Sequence, residues 1–299
     1  MKQKRVVEAV PNFSEGRRPE VIQSIVHAYD EVEGARVIDY SSDRDHNRSV
    51  VTIVGAPEAV SEALFRGIAR AAELIDMDVQ EGEHPRIGAT DVVPFIPIQN
   101  VTMAEAVQLA RDLAVRVGDE LGIPVYLYAK AATRPDRELL SNIRKGQYEG
   151  LKRDLDAGKE DRLPDFGPAK LGKAGATVIG ARPPLIAYNI YLTTSDVAIA
   201  KKIARAVRHS SGGLRNVQAM GVEVEGQAQV SMNLLDYTKT PVYRVTELVR
   251  REAAHYGVAI KNAELIGLIP QQALLDAAQW YLQLANVTPE IILENHLHD

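Results

Sequence analysis

The sequence predicts an α/β fold of the α+β class, built from two tandem units. Segments of alternating apolar residues, typical of strands, are interspersed with segments whose apolar residues recur every three or four positions, as helices require. The same order of elements occurs twice along the chain. Between the two occurrences lies 150–175, which is rich in glycine and charge and has little periodicity. A loop of that length in a compact protein is uncommon and tends to be functional or disordered.

The second half shows the order of elements most plainly. Segment 185–194 predicts a strand, and 195–210 predicts a helix that begins at a Ser-Asp cap. Two alternating runs within 217–236 meet at Gly226, which predicts a hairpin. A helix at 240–257, a strand at 258–268 and a last helix at 270–285 follow. Strand, helix, strand, strand, helix, strand is the split βαβ order of a ferredoxin-like unit.

The first half repeats this order, although the two halves share little residue identity. The predicted elements are a strand at 5–13, a helix at 18–32, strands at 35–42 and 48–55, a helix at 56–75 and a strand at 91–97, followed by a helix at 103–121 and a strand at 123–129. We therefore predict two ferredoxin-like subdomains, residues 1–175 and 176–299.

Strand alternation also predicts a polar sheet face in the second half. Asn189 shares a strand face with Tyr191, and Asn233 shares one with Gln229. If helices cover the other face of this sheet, these amides project from an open face that is available to a ligand.

Composition narrows the function classes. The 299-residue chain has a net charge of -5 and 5% aromatic residues, which argues against nucleic-acid binding. It contains no cysteine, so disulfides, thiolate catalysis and cysteine-ligated metals are excluded. It has no run of 18 apolar residues and no signal-peptide pattern, which favours a cytoplasmic protein without a membrane partner.

Among the seven histidines, His84 has the most unusual surroundings. It lies in EGEHPRIGATDVVPFIP, residues 81–97, where glycine and proline punctuate a loop that runs into an apolar strand. Pro85 favours an extended backbone at His84, and Gly82 and Gly88 permit close approach of another group. These residues alone leave both a reactive histidine and an ordinary loop histidine open.

Six long blocks of the sequence resemble the glutamate formimidoyltransferase family. They are VPNFSEGR (10–17), DHNRSVVTIVG (45–55), GEHPRIGATDVVPFIP (82–97), IPVYLYA (123–129), GATVIGARPPLIAYNIYL (175–192) and QVSMNLLDY (229–237). The resemblance implies transfer of a formimino group from N-formimino-L-glutamate to N5 of tetrahydrofolate in histidine degradation, with no metal. It also implies two α/β subdomains with a ligand tunnel between them and a homodimer or larger assembly. A separate cyclodeaminase would act on the product.

The resemblance assigns His84 as the catalytic group and 167–175 as the folate-binding segment. That segment looks one residue shorter than the animal form and has Ala174 where that form has a tryptophan. Its residues are Gly167, Pro168, Ala169, Lys170, Leu171, Gly172, Lys173, Ala174 and Gly175.

Polar residues within or near these blocks are candidate contacts for the carboxylates and the formimino group. They are Asn12, Asn47, Arg48, Arg86, Arg182, Asn189 and Asn233, with Lys170 and Lys173 as further cations. Arginine suits bidentate contacts to carboxylates. For the first two asparagines, a structural role in turns or strand ends stays open, as does a solvated surface role for each cation.

Two other functions stay open at this level. A glutamate formyltransferase using N-formyl-L-glutamate differs from the implied enzyme only in the atom on the transferred carbon. A non-catalytic folate or small-molecule binding module is also compatible, because a fold does not fix a function. Because the folate loop and His84 must act on one reaction, the transferase interpretation requires 167–175 and His84 to lie close together.

Overall fold

The computed structural model describes residues 4–285 and 287–296, and it has the predicted α+β class. The chain divides into two compact units, Met1–Arg182 and Pro183–Asp299. The strands are β1 (Val6–Ala9), β2 (Asn12–Phe13), β3 (Ala35–Asp43), β4 (Arg48–Gly55), β5 (Thr90–Gln99), β6 (Val125–Ala129), β7 (Thr177–Ala181), β8 (Ile186–Leu192), β9 (Val217–Val224), β10 (Gln227–Leu234) and β11 (Ile260–Ile266).

The α-helices alternate with these strands much as the periodicity predicts. They are α1 (Pro19–Asp30), α2 (Pro57–Leu74), α3 (Met103–Leu121), α4 (Leu140–Ile143), α5 (Gln147–Asp156), α6 (Val197–Val207), α7 (Val242–His255) and α8 (Gln271–Leu282). Local chemistry sets several of the ends. Thr102 and Glu105 form a reciprocal capping box at the start of α3, and Gly122 ends that helix in the left-handed conformation.

The first unit contains one mixed sheet of seven strands. Its order is β1-β4-β2-β5-β7-β6, with β3 paired to β4. Strands β1 and β2 both pair with β4 and β5, and Pro11 lies in the break between them. Strand β5 is parallel to β7, and β7 is parallel to β6. Phe13, Tyr29 and Phe95 are among the largest side chains of the apolar core formed with the helices.

The second unit contains a four-stranded antiparallel sheet in the order β11-β8-β10-β9. Alternate residues of β8, from Ile186 to Leu192, are buried against α6 and α7. The intervening residues, including Asn189, are only half-buried and lie on the opposite face. The predicted polar face is therefore present within this unit.

The structure differs from the sequence prediction around 140–182. Helix α5 occupies the start of the segment that was expected to be a loop, because Tyr148, Leu151 and Leu155 are buried on one helical face. Strand β7 was not predicted, and it lies between β5 and β6. Since β7 belongs to the first sheet, the observed division falls after Arg182 and not at 175.

The described helices have no membrane-spanning character. Within residues 4–285 and 287–296, no helix is both long and apolar enough to cross a bilayer.

Candidate active site

His84 lies on the loop between α2 and β5, and Arg86 fixes that loop. The Arg86 side chain is 9% exposed. Its Nε and Nη2 donate to Gln80 Oε1 and O at 2.7 and 2.8 Å. The remaining bonds go to Gln147 Oε1 (3.0 Å) and to both carboxylate oxygens of Glu149 (3.1 and 2.8 Å) at the start of α5. Because a guanidinium has five N–H donors, Arg86 is fully engaged within the protein.

The half-buried imidazole of His84 lies directly against the guanidinium of Arg48, the first residue of β4. Arg48 Nη1 is 2.5 Å from His84 Nδ1 and also contacts Nε2. Arg48 Nη2 donates to Asn12 Oδ1, and Asn12 Nδ2 donates to Val10 O at 2.7 Å. Three of the candidates selected from separate sequence blocks thus form one contact chain, Asn12–Arg48–His84.

An ion pair that sequence reasoning missed lies beside this chain. Asp91, near the start of β5, accepts from Ile87 N at 2.9 Å and from Arg144 Nη2. The side chains of Asp91 and Arg144 are 3% and 12% exposed. Arg144 Nε is buried, and none of the residues described accepts a hydrogen bond from it. Asp91 therefore connects Arg144 to the backbone just after His84.

These neighbours determine which protonation states the site favours. Burial, then the positive charges of Arg48 and Arg144, lower the pKa of His84 to about 4, and Asp91 offsets part of this. Burial also lowers the pKa of Arg48 to about 10, where Asp91 acts in the opposite direction and Arg144 in the same one. Near neutral pH, His84 is therefore an uncharged imidazole beside two charged guanidinium groups.

The segment 167–175 meets the His84 loop through its backbone. Gly88 and Gly175 form an antiparallel bridge. Ala89 N donates to Ala174 O at 2.8 Å, and Ala176 N donates to Ile87 O at 2.9 Å. The backbone just after His84 and the end of the segment 167–175 are therefore joined within the first unit.

Most of the segment 167–175 lies at the surface, and contacts from residues 76–78 and from α5 hold it in place. Leu171 and Gly175 are buried, Ala174 is half-buried, and the other six residues are exposed. Lys173 Nζ is 3.0 Å from Asp76 Oδ2, and Lys173 O accepts from Met77 N at 2.7 Å. Tyr148 of α5 donates to Asp78 Oδ1 at 2.7 Å and lies 3.5 Å from Gly172 O. Lys170 is exposed at the middle of the segment.

Asn47 has a structural role in this loop cluster. It adopts a positive φ of 49°, as the turn between β3 and β4 requires. Its Oδ1 accepts from Gly16 N at 2.9 Å and its Nδ2 donates to Glu81 O at 2.6 Å. The neighbouring His46 ring lies 6.4 Å from the His84 ring, with its Nδ1 2.9 Å from Asp43 Oδ2.

Arg182 lies next to a second group of buried side chains at the end of β7. Burial raises the pKa of Tyr128, and the nearby Arg182 and Arg144 oppose that rise. Burial likewise raises the pKa of Glu8, again opposed by Arg182. Arg182 N donates to Phe95 O at 3.0 Å. Tyr128 thus lies in the field of both Arg182 and the Asp91–Arg144 pair.

The two remaining candidates lie on the open sheet face of the second unit. Asn189 Nδ2 donates to Glu264 Oε1 at 3.1 Å. The same oxygen accepts from Tyr191 Oη at 3.0 Å and Gln229 Nε2 at 3.3 Å. Asn233 is half-buried and pairs with Ala187 and Gln218 in the strand register. Asn189, Tyr191 and Gln229 thus donate to the Glu264 carboxylate, which the sequence pattern did not single out.

Across 4–285 and 287–296, no group of three or more His, Asp or Glu side chains is arranged to hold a metal ion.

The fold and the site define a mixed α/β protein with an uncharged histidine beside a pair of arginines. Family comparison gives the particular family. Residues 6–182 match the model of the formiminotransferase domain, N-terminal subdomain, and residues 187–297 match that of the formiminotransferase domain.

Full-length relatives agree with this match. The chain is 52% identical to a glutamate formimidoyltransferase of Thermoplasma acidophilum, covering 98% of this chain and 97% of that one. It is 46% identical to a glutamate formimidoyltransferase of Streptococcus pyogenes serotype M1, covering 98% and 99%. It is 43% identical to a formimidoyltransferase-cyclodeaminase of Gallus gallus, covering 93% of this chain but 53% of the relative. The chain belongs to the formiminotransferase family.

Proposed function

We propose that this protein is a glutamate formimidoyltransferase that transfers the formimino group of N-formimino-L-glutamate to N5 of tetrahydrofolate, in the degradation of histidine. The observation that carries the proposal is the meeting of two segments in the first unit. The His84 loop and the segment 167–175 are joined by the bridge between Gly88 and Gly175. Relatives that match over nearly their whole length carry the same activity in their names.

His84 serves as the proton carrier in this proposal. N5 of tetrahydrofolate attacks the amidine carbon, which forms an N–C bond and a tetrahedral intermediate. His84 accepts the proton that N5 loses and returns it to the glutamate nitrogen, whose bond to carbon then breaks. This route needs His84 uncharged at the start, and burial together with Arg48 and Arg144 keeps its pKa low. General acid–base catalysis of this kind contributes about 10² to 10⁴ in rate.

Charge placement supports an anionic donor. Arg48 and Arg144 lie beside His84, and Asp91 offsets only one of the two positive charges. The donor carries two carboxylates, and guanidinium groups pair with carboxylates through charge-assisted hydrogen bonds. The segment 167–175 is the proposed contact for folate, with Lys170 exposed at its middle.

The experiment is steady-state transfer to tetrahydrofolate from N-formimino-L-glutamate and from N-formyl-L-glutamate, measured in parallel. We expect the higher kcat/KM with the formimino donor. A preference for the formyl donor would overturn the assigned donor while leaving the acid–base scheme in place. Ligand binding without turnover of either donor would favour a binding module and contradict the proposed activity.

A further inference from the structure

The guanidinium of Arg48 lies against the ring nitrogens of His84, one of which must accept a proton in the proposed reaction. A neutral imidazole has one nitrogen that can accept a proton, and the tautomer decides which one it is. Arg48 Nη1 lies within hydrogen-bonding distance of both ring nitrogens. The Arg48 guanidinium therefore lies against the ring, where it competes with the substrate for the nitrogen that accepts the proton.

The two arginines beside His84 are held very differently. Arg144 is tied to the carboxylate of Asp91, which is itself fixed by Ile87 N. Among the described residues, the side chain of Arg48 donates hydrogen bonds to His84 and Asn12, and both are uncharged at neutral pH. Because a carboxylate pairs its charge with a guanidinium and a neutral imidazole or amide does not, an incoming carboxylate competes more easily for Arg48 than for Arg144, which already has a carboxylate partner.

The charged and titratable groups that face His84 carry a net positive charge, which favours a bound anion. Arg48 comes from β4, Arg144 follows α4 and Asp91 comes from β5, and the His46 ring lies 6.4 Å away. The loop carboxylates of Glu81 and Glu83 belong to exposed residues. Two guanidinium groups against one buried carboxylate leave a net positive charge, and Arg144 Nε has no acceptor among the described residues.

We propose that a carboxylate of the glutamate-derived donor binds between Arg48 and Arg144 and draws Arg48 away from His84, so that His84 can accept a proton only after the donor is bound. Arg48 is thus a positioning residue that acts through His84, and Arg144 is the fixed half of the carboxylate site. This inference rests on the proposed function for the identity of the donor. It assigns Arg144 a binding role and gives Arg48 a second role besides carboxylate binding.

This exchange has a measurable consequence for the histidine. In the free protein, burial and the positive charges of Arg48 and Arg144 lower the pKa of His84 to about 4. A bound carboxylate neutralises part of the positive charge and removes Arg48 from the ring, so the pKa of His84 rises. A neighbouring unit charge changes a pKa by about 1 to 3.

The test is an NMR titration of the His84 imidazole in the full chain, with the resonance assigned by its loss in His84→Ala. L-glutamate, the product that carries both carboxylates, is the probe, and potassium chloride at equal ionic strength is the control. We expect saturating glutamate to raise the pKa of His84 by about 1 or more. A His84 titration unchanged by saturating glutamate, or a failure of glutamate to bind, would overturn the proposal.

Two arginine variants separate the proposed exchange from a general structural effect. Arg48→Gln is expected to raise the pKa of His84 without ligand and to abolish most of the further rise with glutamate. Arg144→Gln is expected to weaken glutamate binding about 10-fold or more, as the loss of a charged hydrogen bond predicts. Arg66→Gln, on the exposed side of α2, is the matched control and should titrate like the wild type. Equal glutamate-induced shifts in Arg48→Gln and the wild type would contradict the exchange.

The titration tests the exchange and the transfer assay tests the function, and either result can be negative while the other is positive. Turnover of the formimino donor without a glutamate-dependent shift would refute the exchange and leave the transferase function standing. A glutamate-dependent shift without turnover of that donor would refute the function and keep a carboxylate-responsive histidine. If Arg48→Gln does not give a folded spectrum, Arg48→Met serves instead, because it keeps the apolar stem and removes the charge.

Discussion

Gly88 and Gly175 approach so closely that neither position has space for a β-carbon. A Cβ built on Gly88 would lie 2.0 Å from Ala176 O, and one built on Gly175 would lie 2.4 Å from Ile87 O. This backbone contact joins the loop of His84 to the segment 167–175. It explains how two stretches about 80 residues apart in sequence can contribute to one site.

Gly175→Ala should weaken this junction. Gly175 has a φ of 69°, so alanine adds backbone strain as well as the steric clash. We expect a loss of about 2 to 4 kcal/mol in the free energy of unfolding, measured by urea denaturation. Gly172→Ala is a control within the same segment, because its Cβ would meet nothing within 4 Å. Equal stabilities of the two variants would show that the junction tolerates a side chain.

Arg86→Met should loosen the His84 loop without touching the proposed substrates. The substitution removes the donors that join Gln80 to Gln147 and Glu149. We expect about 1 to 3 kcal/mol of lost stability and a lower kcat. Urea denaturation and steady-state kinetics measure the two effects. Arg153→Met, at an exposed position of α5, should leave both unchanged. Retention of full kcat in Arg86→Met would mean that the loop does not depend on this anchor.

The lowered pKa of His84 makes stability depend on pH in a defined direction. Above the ordinary value of 6.5 the histidine is neutral in both folded and unfolded chains and contributes no pH dependence. As pH falls from 6.5 toward about 4, the unfolded chain binds a proton that the folded chain does not, so stability falls. Below about 4 both states are protonated and this contribution stops changing.

His84→Gln removes this proton uptake. The free energy of unfolding of the variant should therefore decline less steeply than that of the wild type between pH 6.5 and 4. Urea denaturation across this range measures the two slopes. Identical slopes would mean that the folded environment does not disfavour the charged imidazole.

Periodicity was enough to predict most elements of the fold. The predicted helix at 103–121 and the strand at 48–55 match α3 and β4 to the residue. Strand β7 was missed because its five residues are all buried, so its sequence lacks the alternation that marks a half-exposed strand. Helix α5 was missed because glycine and charged residues outnumber its apolar positions. Tyr148, Leu151 and Leu155 nevertheless have helical spacing and could have revealed it.

The site was predictable in part. Asn12, Arg48 and His84 were chosen from separate blocks, and the structure brings them into contact. Asp91 and Arg144 were not chosen, because a lone aspartate in a strand and an arginine in an irregular segment carry only a weak local signal. Their pairing depends on the tertiary packing that brings Arg144, just after α4, to Asp91 in β5, which no sequence spacing encodes. Asp91 does lie at the start of a mostly apolar strand, and a charge at a buried position was the available clue.

The central claim is that His84 carries the transferred proton, and His84→Ala tests it most directly. Steady-state kinetics with N-formimino-L-glutamate and tetrahydrofolate should show kcat reduced about 10² to 10⁴-fold, with a much smaller change in KM. His27→Ala, at an exposed site on α1, should match the wild type. A His84→Ala enzyme that is folded and retains wild-type kcat would contradict the account.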